Sequence, residues 1–431
     1  MVEPERLFFY EALLQQLVDD GFEDAAALIE SKYKVKPNSM LRKDHLFDIF
    51  NKCGYLSSRV LLESKLNEEE DVLKCGKNRV REVLSYTNVP VEMNPDLNEV
   101  SYRIMAEILN HKPSRCVAQS HDCSLVAVGG VSGSVRVIPF INVLNKREKR
   151  KPNTLSTNTL SGHIEQVDAL DFHPRKNVLA SGGIDNTIIF HDINTSNGFI
   201  YSTSEMKRIN DMFSIRCMKF HPCGDFLFAG TSNSIIRLYD VVTSKCYTSS
   251  KTTHQHKGGG INGCDFNLLG SLLFTAGSDG SILIWDSKNL ECIYSMDSAH
   301  SDLPVISIKC DVNNHYLLSS GLNGITKLYD LRMLKEITSY GHERNNCIRT
   351  FSTFINNYNY FITFSVLSDN NLNHSEGSLY SINNSSLVLD ITSAFGQTTI
   401  WDALSSNDEF SVITASEDSK TQIINFYDPN L

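Results

Sequence analysis

The chain has 431 residues, of which 41% are hydrophobic and 21% charged, and it carries a net charge of −10. This length is sufficient for one large core or for two domains. The acidic balance argues against tight, sequence-independent binding to nucleic acid, because that mode needs a basic face. The N-terminus is charged where a signal peptide is apolar, and no apolar run approaches the ~18 residues that span a bilayer. We therefore expect a soluble, intracellular protein with no membrane role.

The first elements in chain order are two short amphipathic helices between residues 5 and 31. Gly21 suits the position after a helix C-terminus, and the helix that follows it is rich in alanine. Two short helices bury little surface alone, so self-association is a natural route to stability. We predict that residues 1–66 form an α-helical dimerisation domain, and the alternative of a helical cap packed on its own chain stays open. The predicted dimer face consists of five residues on one side of the first helix: Leu7, Tyr10, Leu14, Leu17 and Val18.

Residues 67–99 have a polar composition. They contain the acidic run Glu68–Asp71 and two prolines, Pro90 and Pro95. This composition indicates a linker, and we expect some helix within it.

The remaining chain, 100–431, is organised as a repeat. Four segments with similar patterns end at Asp192, Asp240, Asp286 and Asp330, at intervals of 48, 46 and 44 residues. Apolar residues alternate or form short β-branched runs, which predicts strands. A repeat of this length and type is typical of a propeller blade with four short strands.

Three less regular segments extend the repeat to seven blades, so the predicted fold is mainly β. They cover 114–140, a segment from Ile348 with a polar insertion at 369–377, and 398–428, in which Trp401 belongs to the first strand. The chain leaves too few residues after Asp428 for an outer strand in the last blade. An open sheet edge favours aggregation, so we predict that residues 102–109 close the ring as that strand.

The repeat resembles the WD-repeat family. Gly-His steps occur at Gly162-His163 and Gly341-His342, and the terminal dipeptide is Trp285-Asp286. The resemblance implies a buried tetrad of hydrogen-bonding side chains in each well-formed blade, which ties strands together. The complete tetrad is predicted at His256, Thr275, Asp279 and Trp285. Partial tetrads are predicted at His163, Ser181 and Asp185, and at His300, Ser319, Asn323 and Tyr329.

A helical head before seven WD blades is similar to the WD-repeat subunit of cleavage stimulation factor (subunit 1), whose head resembles a LisH dimerisation motif. The stretches that carry the resemblance are LFFYEALLQQLVDDGFEDAAALIE, FHPCGDFLFAGTSNSIIRLYD and SAHSDLPVISIKCDVNNHYLLSSGLNGITKLYD. The resemblance implies a nuclear scaffold in pre-mRNA 3′-end cleavage and polyadenylation. It implies a homodimer that holds other cleavage-stimulation subunits, including a HAT-repeat scaffold subunit, and that meets RNA only indirectly through the complex.

The sharper site predictions are few. The basic residues Lys146, Arg147, Lys149, Arg150 and Lys151 form an import signal, an RNA-phosphate contact or a solvated loop. His254, His256 and His300 lack the spacing of a closed zinc site, and the eleven cysteines form no CxxC pair. No P-loop, GxSxG or HExxH motif occurs, so we predict no enzyme and no cofactor. The alternatives are another WD adaptor, such as a ubiquitin-ligase substrate receptor, or a propeller hydrolase.

Overall fold

The computed structural model describes the chain from residue 99 to 428, with short gaps, and part of a preceding helix. The described ranges are 77, 79–81, 83–84, 99–110, 112–140, 158–196, 199–249, 255–355, 359–369, 372–406 and 410–428. The predicted dimer face and the basic residues at 146–151 lie outside the described residues. The chain divides into two compact units, the first being Met1–Lys74 with Glu82–Asn88 and the second Cys75–Arg81 with Val89–Leu431.

The second unit is a ring of seven antiparallel sheets with four strands each. Six of the seven sheets are formed by four strands that are consecutive in sequence. The seventh combines the first described strand with the last three. Blade 1 consists of β2 (Ser114–Gln119), β3 (Leu125–Gly130), β4 (Val135–Pro139) and β5 (Asn158–Leu160). Blade 2 consists of β6 (Val167–Phe172), β7 (Val178–Gly183), β8 (Thr187–Ser196) and β9 (Phe199–Asn210). Blade 3 consists of β10 (Ile215–Phe220), β11 (Phe226–Thr231), β12 (Arg237–Asp240) and β13 (Cys246–Thr248).

The second half of the ring continues the same order. Blade 4 consists of β14 (Ile261–Phe266), β15 (Leu272–Gly277), β16 (Ile282–Asp286) and β17 (Glu291–Met296). Blade 5 consists of β18 (Val305–Cys310), β19 (Tyr316–Gly321), β20 (Thr326–Asp330) and β21 (Lys335–Tyr340). Blade 6 consists of β22 (Cys347–Phe354), β23 (Tyr360–Asp369), β24 (Leu372–Ser381) and β25 (Leu387–Asp390). Blade 7 consists of β26 (Ile400–Ser405), β27 (Ser411–Ser416), β28 (Lys420–Tyr427) and β1 (Ser101–Leu109).

The ring closes as the sequence predicts. Strand β1 pairs antiparallel with β28, from Ser101 opposite Tyr427 to Leu109 opposite Lys420. Ile108 is buried in a cluster that also contains residues of blades 1 and 7. The first strand of the described chain therefore completes the last blade as its outer strand and covers the edge of β28.

The polar insertion predicted at 369–377 is not a loop along its whole length. Strand β24 begins at Leu372, and its first half pairs with β23, with His374 opposite Leu367 and Glu376 opposite Ser365. The insertion therefore lengthens a hairpin, because polar residues are tolerated on strands that extend beyond the packed part of a sheet. The separation into an insertion followed by a strand was wrong.

The core lies between successive blades, where the faces of neighbouring sheets pack together. Phe228 of blade 3, for example, packs with Ile261, Leu273 and Trp285 of blade 4. Side chains alternate between the two faces of each sheet, and neighbouring blades cover both faces in the middle of the ring. Both sets of side chains are therefore apolar, which explains the nearly continuous apolar runs. No helix among the described residues is long and apolar enough to cross a membrane.

The first strand given above for each blade lines the centre of the ring and is called here the inner strand. The inner strands share two features. In every blade the register between the first and second strands shifts at the second residue of the inner strand. Such a bulge re-aims side chains at the end of a strand. The inner strands also surround a central cavity of about 200 Å³.

Carboxylates on the inner strands connect neighbouring blades. Asp171 accepts a hydrogen bond from the main-chain N–H of Phe220 at 2.7 Å, and Asp265 accepts one from Cys310 at 2.9 Å. Asp402 accepts one from Val117 at 3.1 Å, across the junction between the last blade and the first. Each bond supplies an acceptor to a main-chain N–H at the centre of the ring, where no further strand is present to accept it.

A short helical segment precedes the propeller strands and contacts its rim. Arg79 lies 3.1 Å from the carboxylate of Asp286 and 3.8 Å from that of Glu291. Arg81 donates to the carbonyl oxygen of Arg332 at 2.6 Å. Part of the segment predicted as a linker is therefore helical and packs on blades 4 and 5.

Candidate functional site

The complete tetrad of blade 4 is formed as the sequence predicts. The indole N–H of Trp285 donates to Thr275 Oγ1 at 2.9 Å, and Thr275 Oγ1 lies 2.9 Å from His256 Nε2. His256 Nδ1 lies 3.2 Å from Asp279 Oδ1 and 2.8 Å from Ser281 Oγ. Trp285 and Thr275 are fully buried, so each polar group depends on this chain for its partner. The tetrad is a structural network that joins β15 and β16 to the loop that enters the blade.

The carboxylate of Asp279 is held ionised at the end of this network. Burial opposes its ionisation, but hydrogen bonds from His256 and Ser281 outweigh that cost and lower the pKa of Asp279. The main-chain N–H of Lys257 also donates to Asp279 at 2.5 Å. Ser281, which sequence reasoning did not assign, donates to the same carboxylate at 2.7 Å.

Replacing Asp279 with alanine is expected to lower the free energy of unfolding by about 1–3 kcal/mol, because it removes the carboxylate that accepts the N–H of Lys257 and the hydroxyl proton of Ser281 beside His256. Asp302 offers a control, since it is an exposed loop residue whose side chain, among the described residues, bonds Ser298 alone. Its φ of 65° favours asparagine over alanine, so the control substitution is Asp302→Asn. Urea denaturation of both variants tests the prediction, and equal stabilities would contradict the tetrad assignment.

Blade 2 forms three members of the network and replaces the fourth. His163 Nδ1 lies 3.0 Å from Asp185 Oδ2, and His163 Nε2 lies 2.8 Å from Ser181 Oγ. Thr187 adds a second hydroxyl, 2.8 Å from Asp185. The place of tryptophan is taken by His191, which is 3% exposed. Burial, followed by the charge of His163, lowers the pKa of His191 to about 4.

This shift predicts a loss of stability in acid. The pKa of His191 falls from 6.5 to about 4 on folding, so the unfolded chain binds the proton first as the pH falls. The contribution of neutral His191 to the free energy of unfolding is complete above pH 6.5. It is lost as the pH falls from there towards 4. Between about pH 7 and about pH 4.5, the free energy of unfolding of the His191→Phe variant should fall by about 2–3 kcal/mol less than that of the natural chain. Denaturation curves at both pH values measure this, and the same loss in both proteins would refute it.

Blade 5 holds the second partial tetrad. His300 Nε2 lies 2.7 Å from Ser319 Oγ, and both residues are fully buried. His300 Nδ1 has no hydrogen-bond partner among the described residues, and Asn323 Oδ1 accepts a bond from the N–H of Ile325 at 3.2 Å. Tyr329 occupies the place of tryptophan and is 5% exposed. Burial, followed by the charge of Lys327, lowers the pKa of His300 to about 4. Here packing replaces most of the network.

Blade 3 lacks the tetrad residues, as predicted, but the structure shows a substitute that sequence reasoning missed. Tyr239 donates a hydrogen bond to Asp211, and Arg237 Nε lies 2.9 Å from the same carboxylate. The guanidinium of Arg237 also lies 5.3 Å from the ring centroid of Phe213. A buried carboxylate that binds one guanidinium nitrogen and a phenol thus holds the entering loop where a Gly-His step would. The sequence signal that could have indicated this network is Arg237, a charged residue at a position of β12 where the alternation calls for an apolar one.

The predicted histidines do not converge on a common site. His256 and His300 each bond a hydroxyl of their own blade, and His254 lies outside the described residues. Within the described part of the chain, no group of three histidine, cysteine or acidic residues could hold a metal ion.

The remaining polar feature is the central channel at the end where the inner strands begin. The bulged residues there include Arg115, Arg216 and Trp401, and the guanidinium of Arg115 lies 3.6 Å from the Trp401 ring centroid. Arg216 donates to Asn262 at 2.9 Å and to Ser278 at 3.2 Å. Antiparallel order places the loops entering the inner strands and the turns between second and third strands on this face, called here the mouth face.

Comparison with known proteins decides what kind of repeat this is. The model of the family "WD domain, G-beta repeat" matches residues 155–192, 209–240 and 247–286. The three matched segments end at Asp192, Asp240 and Asp286, the same aspartates that align in the sequence. These three segments match the WD40 repeat. The blades that surround them complete a seven-bladed propeller.

Two curated relatives show what kinds of protein the chain is similar to. The chain is similar to "Cleavage stimulation factor subunit 50" of Arabidopsis thaliana, with 32% identity over 207 residues that cover 48% of this chain and 47% of the relative. It is similar to "Pre-mRNA-processing factor 19" of Oryza sativa subsp. japonica, with 25% identity over 177 residues that cover 41% of this chain and 32% of the relative. The chain spans less than half the length of each.

A solved structure supports the fold alone. The β-propeller domain of Cps50 (Swd1) from Myceliophteria thermophila matches with a TM-score of 0.60 at 14% identity. The match covers 75% of this chain and 99% of that domain. The WD40 repeat matches and these relatives support a propeller scaffold.

Proposed function

We propose that this chain is a non-catalytic scaffold subunit of a cleavage-stimulation complex that acts in pre-mRNA 3′-end cleavage and polyadenylation in the nucleus. The observation that carries the proposal is its likeness to cleavage stimulation factor subunit 50, at 32% identity over 207 residues. The propeller holds partner proteins, including a HAT-repeat scaffold subunit, and the N-terminal helices make a homodimer. RNA meets the chain only through the complex.

The side chains of the propeller support a binding role. Its buried histidines, hydroxyls and carboxylates bond one another within blades, as His256, Thr275 and Asp279 do, or join neighbouring blades, as Asp171 and Asp265 do. Polar groups that are satisfied in this way stabilise a rigid platform rather than supply a reactive group. A rigid ring with exposed loops on two faces suits the assembly of several proteins.

Affinity purification of the tagged full-length chain from nuclear extract tests the proposed function. Recovery of the other cleavage-stimulation subunits is expected. A second bait without residues 1–66 separates the two activities, because it should retain partners bound by the propeller. Recovery of a cullin adaptor in place of those subunits would support a ubiquitin-ligase substrate receptor and overturn the proposal.

The head is expected to make the full-length chain a dimer, because its apolar helix face cannot be covered by two short helices alone. Deleting residues 1–66 should leave a folded, monomeric propeller. Light scattering at micromolar concentration measures both masses. A monomeric full-length chain would contradict the proposed dimer.

A further inference from the structure

A small cleft lies at the outer rim of the propeller, where blade 7 packs against blade 1. Its volume is about 50 Å³, and it shares no lining residue with the central cavity. Arg136 of β4, which lies opposite Val128 of β3 and Thr159 of β5, forms one wall. Asn110 and Lys112, between β1 and β2, form another. No carboxylate is among the described residues that line this space, called here the rim cleft.

Two other blades carry a cation at the position of Arg136 and neutralise it. Strand pairing aligns blades 1 and 3 without a gap from the segment that enters the inner strand to the third strand, so Arg136 corresponds to Arg237. Arg237 lies 2.9 Å from the carboxylate of Asp211. Blade 5 has Lys327 at this position, 2.9 Å from Glu336. A cation here therefore has a carboxylate partner in both blades.

Blade 1 has a different residue at each of the three positions that surround the arginine in blade 3. The replacements are Asp211 by Asn110, Phe213 by Lys112 and Thr231 by Gly130. The first removes a negative charge, the second adds a positive charge, and the third removes a side chain and leaves space. The neutral, filled network of blade 3 thus becomes an open cleft with two positive charges.

The side chains of the rim cleft are held in place by hydrogen bonds. Arg136 Nη1 donates to the carbonyl oxygen of Leu109 at 2.6 Å and to Asn110 Oδ1 at 3.3 Å. The amide nitrogen of Asn110 donates to the hydroxyl groups of Ser114 and Thr421, each at 2.9 Å. Burial lowers the pKa of Arg136, but a guanidinium remains charged in proteins. One of the two positive charges is therefore fixed at the cleft wall.

Blade 7 carries carboxylates near this junction, but they do not offset the charge of the rim cleft. Asp418 forms an ion pair with Lys420 at 3.3 Å. Glu107 of β1 accepts a hydrogen bond from the side-chain amide of Gln422 at 2.9 Å. Gln422 shares its sheet face with Ile424, which packs in the cluster between blades 6 and 7, so Glu107 points away from blade 1.

Size and donors together indicate which anion fits the rim cleft. One water molecule needs about 10–15 Å³ on the same scale, so 50 Å³ accommodates a group of about four or five heavy atoms. Besides the two cations, the hydroxyl groups of Ser114, Ser134 and Thr159 line the cleft. A phosphate monoester carries nearly two negative charges and three acceptor oxygens, and it is bound well by arginine and lysine. A carboxylate has one charge and would use fewer of these donors.

We propose that the rim cleft binds a phosphate monoester group, supplied either as free phosphate or as a phosphorylated serine or threonine side chain. The phosphate oxygens accept hydrogen bonds from the guanidinium of Arg136, the ammonium group of Lys112 and the hydroxyl groups of Ser134 and Thr159. A phosphodiester backbone carries one charge per phosphate and is esterified on two sides, so it suits the cleft less well. This site goes beyond the proposed scaffold function and does not depend on it.

Fluorescence anisotropy with the full-length chain tests the inference. The labelled probes are an alanine-rich peptide with one phosphoserine, the same peptide with serine or glutamate at that place, and a single-stranded uridine RNA. The phosphoserine peptide should bind at least about tenfold more tightly than the other probes. Unlabelled inorganic phosphate distinguishes the sources: competition at concentrations similar to the peptide assigns free phosphate, and much weaker competition assigns a phosphorylated side chain.

Asn110→Asp is the most informative variant, because it restores the carboxylate that blade 3 has. The new carboxylate should pair with Arg136 as Asp211 pairs with Arg237. Binding of the phosphoserine peptide should weaken at least about tenfold, while the melting temperature stays the same or rises. Lys112→Gln, at an exposed residue, should weaken binding about tenfold as well.

Lys176→Gln is the matched control, since it removes the same charge from an exposed turn of blade 2 outside the cleft and should leave affinity unchanged. If Asn110→Asp lowers the melting temperature, Lys112→Gln decides the outcome. The inference is overturned if the phosphoserine peptide does not bind at millimolar concentration, or if the glutamate peptide or the RNA binds as tightly. Equal affinity of the natural chain and Lys112→Gln would overturn it too.

Discussion

A chain that begins at Pro113 is expected to aggregate under conditions in which a chain that begins at Asp96 remains soluble and folded. The shorter chain lacks β1, so the main-chain groups of β28 from Lys420 to Tyr427 lose their partners. An unpaired edge of this length is a template for pairing with other molecules. Static light scattering and the melting temperature of both proteins measure the effect.

A pair of substitutions tests the closing strand at full length. Ile108 is 5% exposed and packs in the cluster between blades 1 and 7, whereas Met105 on the same strand is 42% exposed. Ile108→Asp should lower the free energy of unfolding by about 3–5 kcal/mol, and Met105→Asp by less than about 1 kcal/mol. Similar melting temperatures of the two variants would mean that β1 contributes little to closure.

The ring and its closure follow from the sequence because both depend on patterns that hold within each repeat. Strand periodicity and the aligned aspartates predict the second and third strands of a regular blade. The closing strand follows from ring topology, and β1 pairs with β28 as the fourth strand of blade 7. Trp401 was rightly placed on an inner strand, because β26 runs from Ile400 to Ser405.

The network of blade 3 could not be predicted in the same way. Its members Asp211, Arg237 and Tyr239 meet through tertiary packing and do not match the spacing of the tetrad. Ala229 stands where the tetrad needs a hydroxyl. The sequence pattern shows this difference, but it does not show that an ion pair has replaced the missing hydrogen bonds. Long-range compensation of this kind is visible only when the strands are placed.

The channel was missed for a related reason. Arg216, Arg349 and Asp402 are far apart in sequence and lie on three different inner strands. The bulge that repeats in every inner strand directs them to the same centre. Sequence alone assigned the histidines and hydroxyls correctly, because those contacts are formed within one blade.

Thr275 is the central member of the complete tetrad. Its hydroxyl is 2.9 Å from both the indole nitrogen of Trp285 and Nε2 of His256, and the residue is fully buried. When Nδ1–H of His256 donates to Asp279, Nε2 accepts the hydroxyl proton of Thr275, and the hydroxyl oxygen accepts from Trp285. One oxygen atom therefore satisfies two buried groups.

Thr275→Val is accordingly expected to lower the free energy of unfolding by about 2–5 kcal/mol, because valine keeps the volume but leaves Trp285 and His256 each without a partner. Thr414 is a matched control, since it occupies the same position in β27 of blade 7, is fully buried, and makes a single 3.4 Å bond to the carbonyl oxygen of Gln422. Thr414→Val should cost about 1 kcal/mol or less. Urea denaturation measures both variants. If the two substitutions cost the same, packing rather than the tetrad holds blade 4 together.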